Sequence, residues 1–106
     1  MAHRVFFLNK LREGVSAEDY EQWVRDVDYP FARGIPSIKS YIVTRLDASL
    51  EGDERPPYDF AEVVEVTGIE AYKADLSTDK PEIQAFDEQW FKYVGETVAV
   101  YGEVVD

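Results

Sequence analysis

The chain has 106 residues, 45% of them apolar and 31% charged, with seven Tyr, six Phe and two Trp. That length fits one core and is too short for two, and so aromatic a composition excludes a disordered chain. Eleven basic against 22 acidic residues give a formal charge of −11, which repels phosphate backbones and anionic headgroups and argues against nucleic acid and membrane as partners.

The run Arg4 to Leu11 (RVFFLNKL) is rich in aromatic and branched residues and ends at the polar Glu13-Gly14 turn, so it reads as a first strand. Ser16, with Asp19 three residues on, offers a helix N-cap, and Tyr20, Trp23, Val24, Val27 and Phe31 recur at helical spacing. The helix is expected to end between Pro30 and Gly34, with the Asp28-Tyr29-Pro30 stretch interrupting it. A second strand runs from Ile38 to Leu46, and the acidic, Gly- and Pro-bearing run Asp47 to Pro57 reads as an exposed loop. Tyr58 to Val66 forms a third strand. Thr67 with Glu70, and Asp79 with Glu82, repeat the capping-box spacing ahead of two further helices, one short and one over Pro81 to Val94. Gly95 fits a C-terminal stop, and Thr97 to Val105 a fourth strand.

The order strand, helix, strand, strand, helix, strand is the ferredoxin-like βαββαβ pattern, an α+β fold with an antiparallel four-stranded sheet in the order 4-1-3-2 over residues 1–106. Helices cover one face of such a sheet only, yet both alternating sets in strands one and four carry bulky apolar groups: Val5 and Phe7 against Phe6 and Leu8, Val98 and Val100 against Ala99 and Tyr101. The second face therefore calls for an identical chain, giving a homodimeric barrel.

The segments FFLNKL, VRDVDYPFARGIPSIKSY, YDFAEVVEV, EAYKADL and EQWFKYVGETVAVYGE, in that order and spacing, resemble the dimeric α+β barrel proteins, and within them the REDY-like proteins of prodigiosin-type tripyrrole pathways. The resemblance spans nearly the whole chain. It implies a small accessory enzyme of natural-product biosynthesis that acts on a pyrrole, indole or polyketide-like intermediate with no bound metal and no redox cofactor.

The residues themselves offer limited chemistry. Without cysteine there are no disulfides, thiolate nucleophiles or Cys-ligated metals, and the reducing cytosol is a compatible location. No apolar stretch has the length of a signal peptide's core or a membrane span, so a cytoplasmic protein is expected. His3 is the single histidine, no acidic ligand loop stands out, and Gly-rich phosphate loops are lacking.

What remains is a set of polar residues on otherwise apolar strands: Asn9, Tyr41, Arg45, Glu62, Glu65, Tyr101 and Glu103. If Asn9, Tyr41, Arg45, Glu65 and Tyr101 converge beneath the helices, Tyr41 can donate a proton, Glu65 remove one, and Arg45 with Asn9 stabilise developing negative charge. Parity along each strand leaves that convergence open until the register is known. Arg45 and Glu65 equally fit ion pairs at the surface, and the tyrosines rim packing. Trp23 and Trp90 lie on helix stripes that suit either core or an aromatic pocket wall, and Tyr29 sits at the expected cavity mouth. His3 fits a solvated residue or, as in cyclases of related barrels, an acid–base group. The expected catalytic set is thus Tyr41, Glu65, Arg45 and His3, with Asn9, Trp23, Tyr29, Trp90 and Tyr101 binding a small aromatic or heteroaromatic ligand. A cyclase or condensing enzyme fits this set, with a cofactor-free monooxygenase, or a non-catalytic protein that shields a labile intermediate, as alternatives.

Overall fold

The computed structural model describes residues 2–106. Its elements are β1 (His3–Leu11), α1 (Ala17–Trp23), a π-helical turn (Val24–Asp28), α2 (Tyr29–Arg33), β2 (Ile38–Arg45), β3 (Phe60–Val66), α3 (Ile69–Asp75), α4 (Pro81–Trp90) and β4 (Val94–Glu103). One antiparallel sheet has the order β2-β3-β1-β4, the ferredoxin-like arrangement read from the sequence. Register is set by the pairs Val5↔Val64 and Val5↔Tyr101, and by Tyr41↔Val64. Odd residues of β1, of β2 from Tyr41 on and of β4 from Thr97 on therefore share the helix-covered face with even residues of β3, and register shifts at the strand starts bring Ile38 and Val94 to the same face.

The core beneath the helices forms around Tyr20, Trp23, Val24, Phe60 and Val94, with a second group at Val5, Val64 and Val66. Tyr20 sits edge-on to Phe60, ring centroids 4.9 Å apart, and stacks near Trp23. Burying rings of this size supplies much of the fold's hydrophobic stabilisation. The opposite face carries Phe6, Leu8, Ile42, Val98 and Val100, all exposed in the single chain, Ile42 by 59% and Val100 by 54%.

Ser16 caps α1 as its spacing predicts, its Oγ accepting from Asp19 N at 3.1 Å. Pro30, expected to break the helix, is instead carried through it. The turn before it widens, so that Tyr29 N–H donates to Val24 O, five residues back, and the helix continues to Arg33. A proline in a regular helix loses an N–H bond and clashes with the carbonyl four residues earlier; a wider turn moves that carbonyl away.

Neither downstream capping box forms. Gly68 and Lys80 occupy the N-cap positions and make no side-chain cap bond, while Pro81 does open α4. Gly95 lies within β4 and not after a helix: α4 stops at Trp90, a tight turn returns Tyr93 N–H to Trp90 O, and buried Val94 starts the strand. A Cβ at Gly95 would approach the Arg12 side chain to 3.2 Å, so closeness of the backbones there accounts for the glycine. Among the described residues, no helix is long and apolar enough to cross a membrane.

Candidate functional site

Beneath the helices, the middle of the covered face carries Asn9, Glu62 and Tyr41 among apolar neighbours, and these three meet. Thr97, paired with Asn9 across β1 and β4, donates from Oγ1 to Asn9 Oδ1 at 2.6 Å. That bond fixes the amide so that Asn9 Nδ2 donates to Glu62 Oε2, also at 2.6 Å. Tyr20, descending from α1, donates its hydroxyl to the same Oε2 at 2.7 Å. Tyr41 from β2 lies 2.8 Å from Glu62 Oε1 and 2.6 Å from Oδ2 of Asp28, at the end of the π-helical turn. Asn9, Asp28 and Glu62 are buried.

The Tyr41 hydroxyl has one proton and touches two carboxyl oxygens, so it can donate to only one of them. The other contact is a hydrogen bond only if that carboxyl is itself protonated and donates to the phenol oxygen. Glu62 holds two other donors, Asn9 and Tyr20, whereas Asp28 has Tyr41 alone among the described residues. The number of donors therefore favours the anion on Glu62 and the proton on Asp28. The chain runs from Asp28 O–H to Tyr41, and from Tyr41 O–H to the Glu62 carboxylate.

Burial raises both carboxyls. Burial, with the Glu62 charge nearby, pushes the Asp28 carboxyl up to about 7 despite its bond to Tyr41. Burial also raises Glu62, opposed by its bonds to Tyr20, Tyr41 and Asn9. Tyr41 rises well above the usual phenol value, through burial first and the two carboxyls next, so it stays a neutral phenol. Two carboxyls sharing one proton titrate as a pair.

Asp28, Tyr41 and Glu62 line a partly open cavity of about 120 Å³ between sheet and helices. Its aromatic wall is Phe7, Phe31, Tyr41, Tyr72, Phe86 and Trp90, with Phe31 and Phe86 stacked at 4.0 Å. An apolar cavity of roughly 150 Å³ is known to hold benzene, so the space here is on the scale of one aromatic ring at most. Among the described residues, no group of three or more His, Cys, Asp or Glu side chains is placed to hold a metal ion.

Of the residues singled out from the sequence, Tyr41, Asn9 and Trp90 belong to this assembly, Asn9 through Glu62. Tyr29 lies beside it: its hydroxyl accepts from Val43 N–H at 3.0 Å, and its ring packs edge-on against Tyr41. The expectation for Glu65 is corrected. β3 turns its even residues to the helices, so Glu65 faces the other way and pairs with Arg4 at 3.5 Å. Arg45 shares the helix side but sits at its rim, paired with Glu21 and Glu18, and lines a separate open cleft beside the 47–57 loop. Trp23 is core, donating from Nε1 to Gln89 at 3.2 Å. Tyr101 is half-exposed with Lys73 over its ring at 5.2 Å. His3 stands at the start of β1, paired with Val66 and Glu103 and away from the cavity.

Asp28, Tyr20 and Thr97 were not singled out, and Glu62 was noted only as a polar strand residue. A signal for Glu62 did exist in Phe60-Ala-Glu-Val-Val-Glu-Val66: the alternation that buries Phe60, Val64 and Val66 includes Glu62 and excludes Glu65.

The model of the family described as REDY-like protein HapK matches residues 3–105. No curated protein matches the sequence. The crystal structure of HapK from Hahella chejuensis superposes with a TM-score of 0.78 at 26% identity, covering 97% of this chain and 92% of that one. A dimeric ferredoxin-like protein of unknown function from Thermobifida fusca gives 0.70 at 25% identity, over 98% and 92%. A hydroxynitrile lyase from Passiflora edulis gives 0.75 at 15% identity, over 99% and 94%, a likeness of fold alone.

Proposed function

The chain belongs to the REDY-like HapK family, and from that premise we propose that it is a cofactor-independent enzyme of natural-product biosynthesis, a cyclase or condensing enzyme. Its substrate is a pyrrole- or indole-like intermediate whose ring enters the cavity between sheet and helices. The observation that carries this reading is the Asp28–Tyr41–Glu62 proton chain opening onto an aromatic cavity. A carboxyl with a pKa near neutrality, set against a site for a ring, is equipped for general acid–base catalysis.

In the proposed step, Asp28 gives its proton to a nitrogen or carbonyl oxygen of the bound intermediate. The Asp28 O–H bond breaks, an N–H or O–H bond forms on the ligand, and the ligand becomes a stronger electrophile. After ring closure or condensation, Asp28 takes a proton back from the product and the site is restored. Tyr41 and Glu62 hold the carboxyl at this pKa, and the cavity confines the substrate to a reactive conformer. The hydroxynitrile lyase of the same fold makes the fold a suitable host for such chemistry; it says nothing of this chain's substrate.

We further propose that the chain is a cytoplasmic homodimer. Phe6, Leu8, Ile42, Val98 and Val100 form an apolar sheet face without cover in one chain, and relatives of this fold are described as dimeric. A second copy covers that face and leaves the cavity, on the other side of the sheet, accessible.

Incubation of the protein with pyrrole and indole pathway intermediates, with and without oxygen, tests the activity by mass spectrometry of the products. An isobaric or dehydrated product above the protein-free control supports the cyclase or condensing role. Gain of an oxygen atom replaces it with monooxygenation, and simple persistence of the intermediate replaces it with a shielding role.

A further inference from the structure

The stripe of α4 that packs over the cavity reads Ile83, Phe86, Asp87, Trp90, the i, i+3, i+4, i+7 spacing of a core-facing surface. Three of these positions are apolar and one is an acid. Asp87 lines the cavity, and its carboxylate has no hydrogen-bond or ion-pair partner among the described residues; partial burial alone pushes its pKa up. A partly buried carboxylate on an otherwise apolar stripe loses some of its hydration without a compensating partner, and it stands free to meet a positive charge in the cavity.

The rest of the lining has the same sign. Asp28 and Glu62 add two further carboxyls, the electron-rich faces of six aromatic rings complete the wall, and no Arg, Lys or His is among the lining residues. Aromatic faces and carboxylates both attract a cation, and both repel an anion. Arg33 and Lys39 line an adjoining pocket that shares Ala32, Ile38 and Tyr41 with the cavity, but neither lines the cavity itself; Arg45 and Arg55 line the separate cleft by the 47–57 loop and are paired with Glu21 and Asp59.

We infer that the cavity selects a neutral or cationic nitrogen-bearing aromatic ligand and rejects an anionic one, with Asp87 as the substrate-binding carboxylate that meets the ligand's positive charge. This rests on the cavity being the substrate site. It narrows the substrate class to rings carrying an amine, imine or iminium and disfavours carboxylated or phosphorylated intermediates. It also fits the proposed proton transfer: once Asp28 has protonated the ligand, the new cation lies among carboxylates in place of the charge-stabilising arginine expected from the sequence.

Binding of three ring-matched probes tests the inference without requiring turnover: tryptamine (cation), indole (neutral) and indole-3-acetate (anion), measured by calorimetry at about pH 8 and about 0.15 M salt, where charges beyond a Debye length are screened. Tryptamine is expected to bind roughly 10–100-fold more tightly than indole-3-acetate, as an unscreened charge within a few ångströms of a partly buried carboxylate implies. Because the whole chain is anionic, a local control is needed. Asp87→Asn should reduce the cation's advantage by about tenfold, whereas Glu88→Gln, which removes the same charge from the next and exposed position of α4, should leave it within about twofold. Equal or tighter binding of the anion, equal effects of the two substitutions, or no binding of any probe would overturn the inference. The expected binding order without product formation from any intermediate would instead preserve the charge selectivity and remove the catalytic reading.

Discussion

Asp28→Asn tests the proton assignment on which the site rests. In the folded protein the Asp28 carboxyl is pushed from an ordinary 3.8 to about 7. The fold therefore retains a proton that the unfolded chain has lost across that window. The stability this provides is fully present below about pH 4 and is lost as the pH rises to about 7. The window spans roughly three decades of proton affinity at ~1.4 kcal/mol each, so about 4 kcal/mol is given up between its ends. Asparagine reproduces the neutral acid: its Nδ2 donates to the Tyr41 oxygen, and Tyr41 still donates to Glu62. Urea unfolding at fixed protein concentration should find the variant close to wild type near pH 4. It should become more stable by up to about 4 kcal/mol, the difference growing by ~1.4 kcal/mol per pH unit between about pH 4 and 7 and levelling off by about pH 8. A variant less stable than wild type at every pH, or a difference that does not change with pH, would refute the location of the proton on Asp28.

Three further outcomes follow from the same geometry. Glu62→Gln reverses the chain, its amide donating to Tyr41 and Tyr41 donating to Asp28; with the Glu62 charge gone and a donor gained, the Asp28 pKa should fall from about 7, read by carboxyl carbon NMR titration. Tyr41→Phe leaves both carboxyls without their bridging hydroxyl and should cost about 1–3 kcal/mol of stability by denaturant unfolding. Phe6→Glu places a charge on the exposed sheet face beside Val100; sedimentation should show monomer where the wild type is a dimer, with ring binding in the cavity retained.

Much of the fold was legible because its signals are local. The branched and aromatic alternation of RVFFLNKL and FAEVVEV, the Ser16 cap and Pro81 at a helix start each reflect the chemistry of a few neighbours. The errors share another cause. Capping pairs at Thr67–Glu70 and Asp79–Glu82 have the correct spacing, but the chain reaches its helical conformation one residue later than each predicted cap. Gly95 reads as a helix stop and instead lies in β4, where a Cβ would come within 3.2 Å of the Arg12 side chain.

The site was less legible, because it depends on register. Tyr41 and Asn9 stood out as polar residues on apolar strands, yet choosing between Glu62 and Glu65 needed the pairing of β3 with its neighbours. Asp28 resembles an ordinary solvated residue in VRDVDYP, and only the wider turn ahead of Pro30 carries it to the cavity wall. A proline within an otherwise continuous helical stripe is a usable signal for such turns, and the acid before it is then a candidate for function.

Acid–base catalysis in the cavity is tested most directly by the rate of product formation under single-turnover conditions, with wild type and Asp28→Asn compared at saturating amounts of a pyrrole or indole intermediate. If Asp28 is the proton donor, the wild type forms a cyclised or condensed product, and the variant, folded and binding the intermediate as tightly, forms it about 10²–10⁴-fold more slowly. A variant that turns over at the wild-type rate would contradict catalysis by Asp28, and a wild type that forms no product would leave the protein a binder of its ring and not an enzyme.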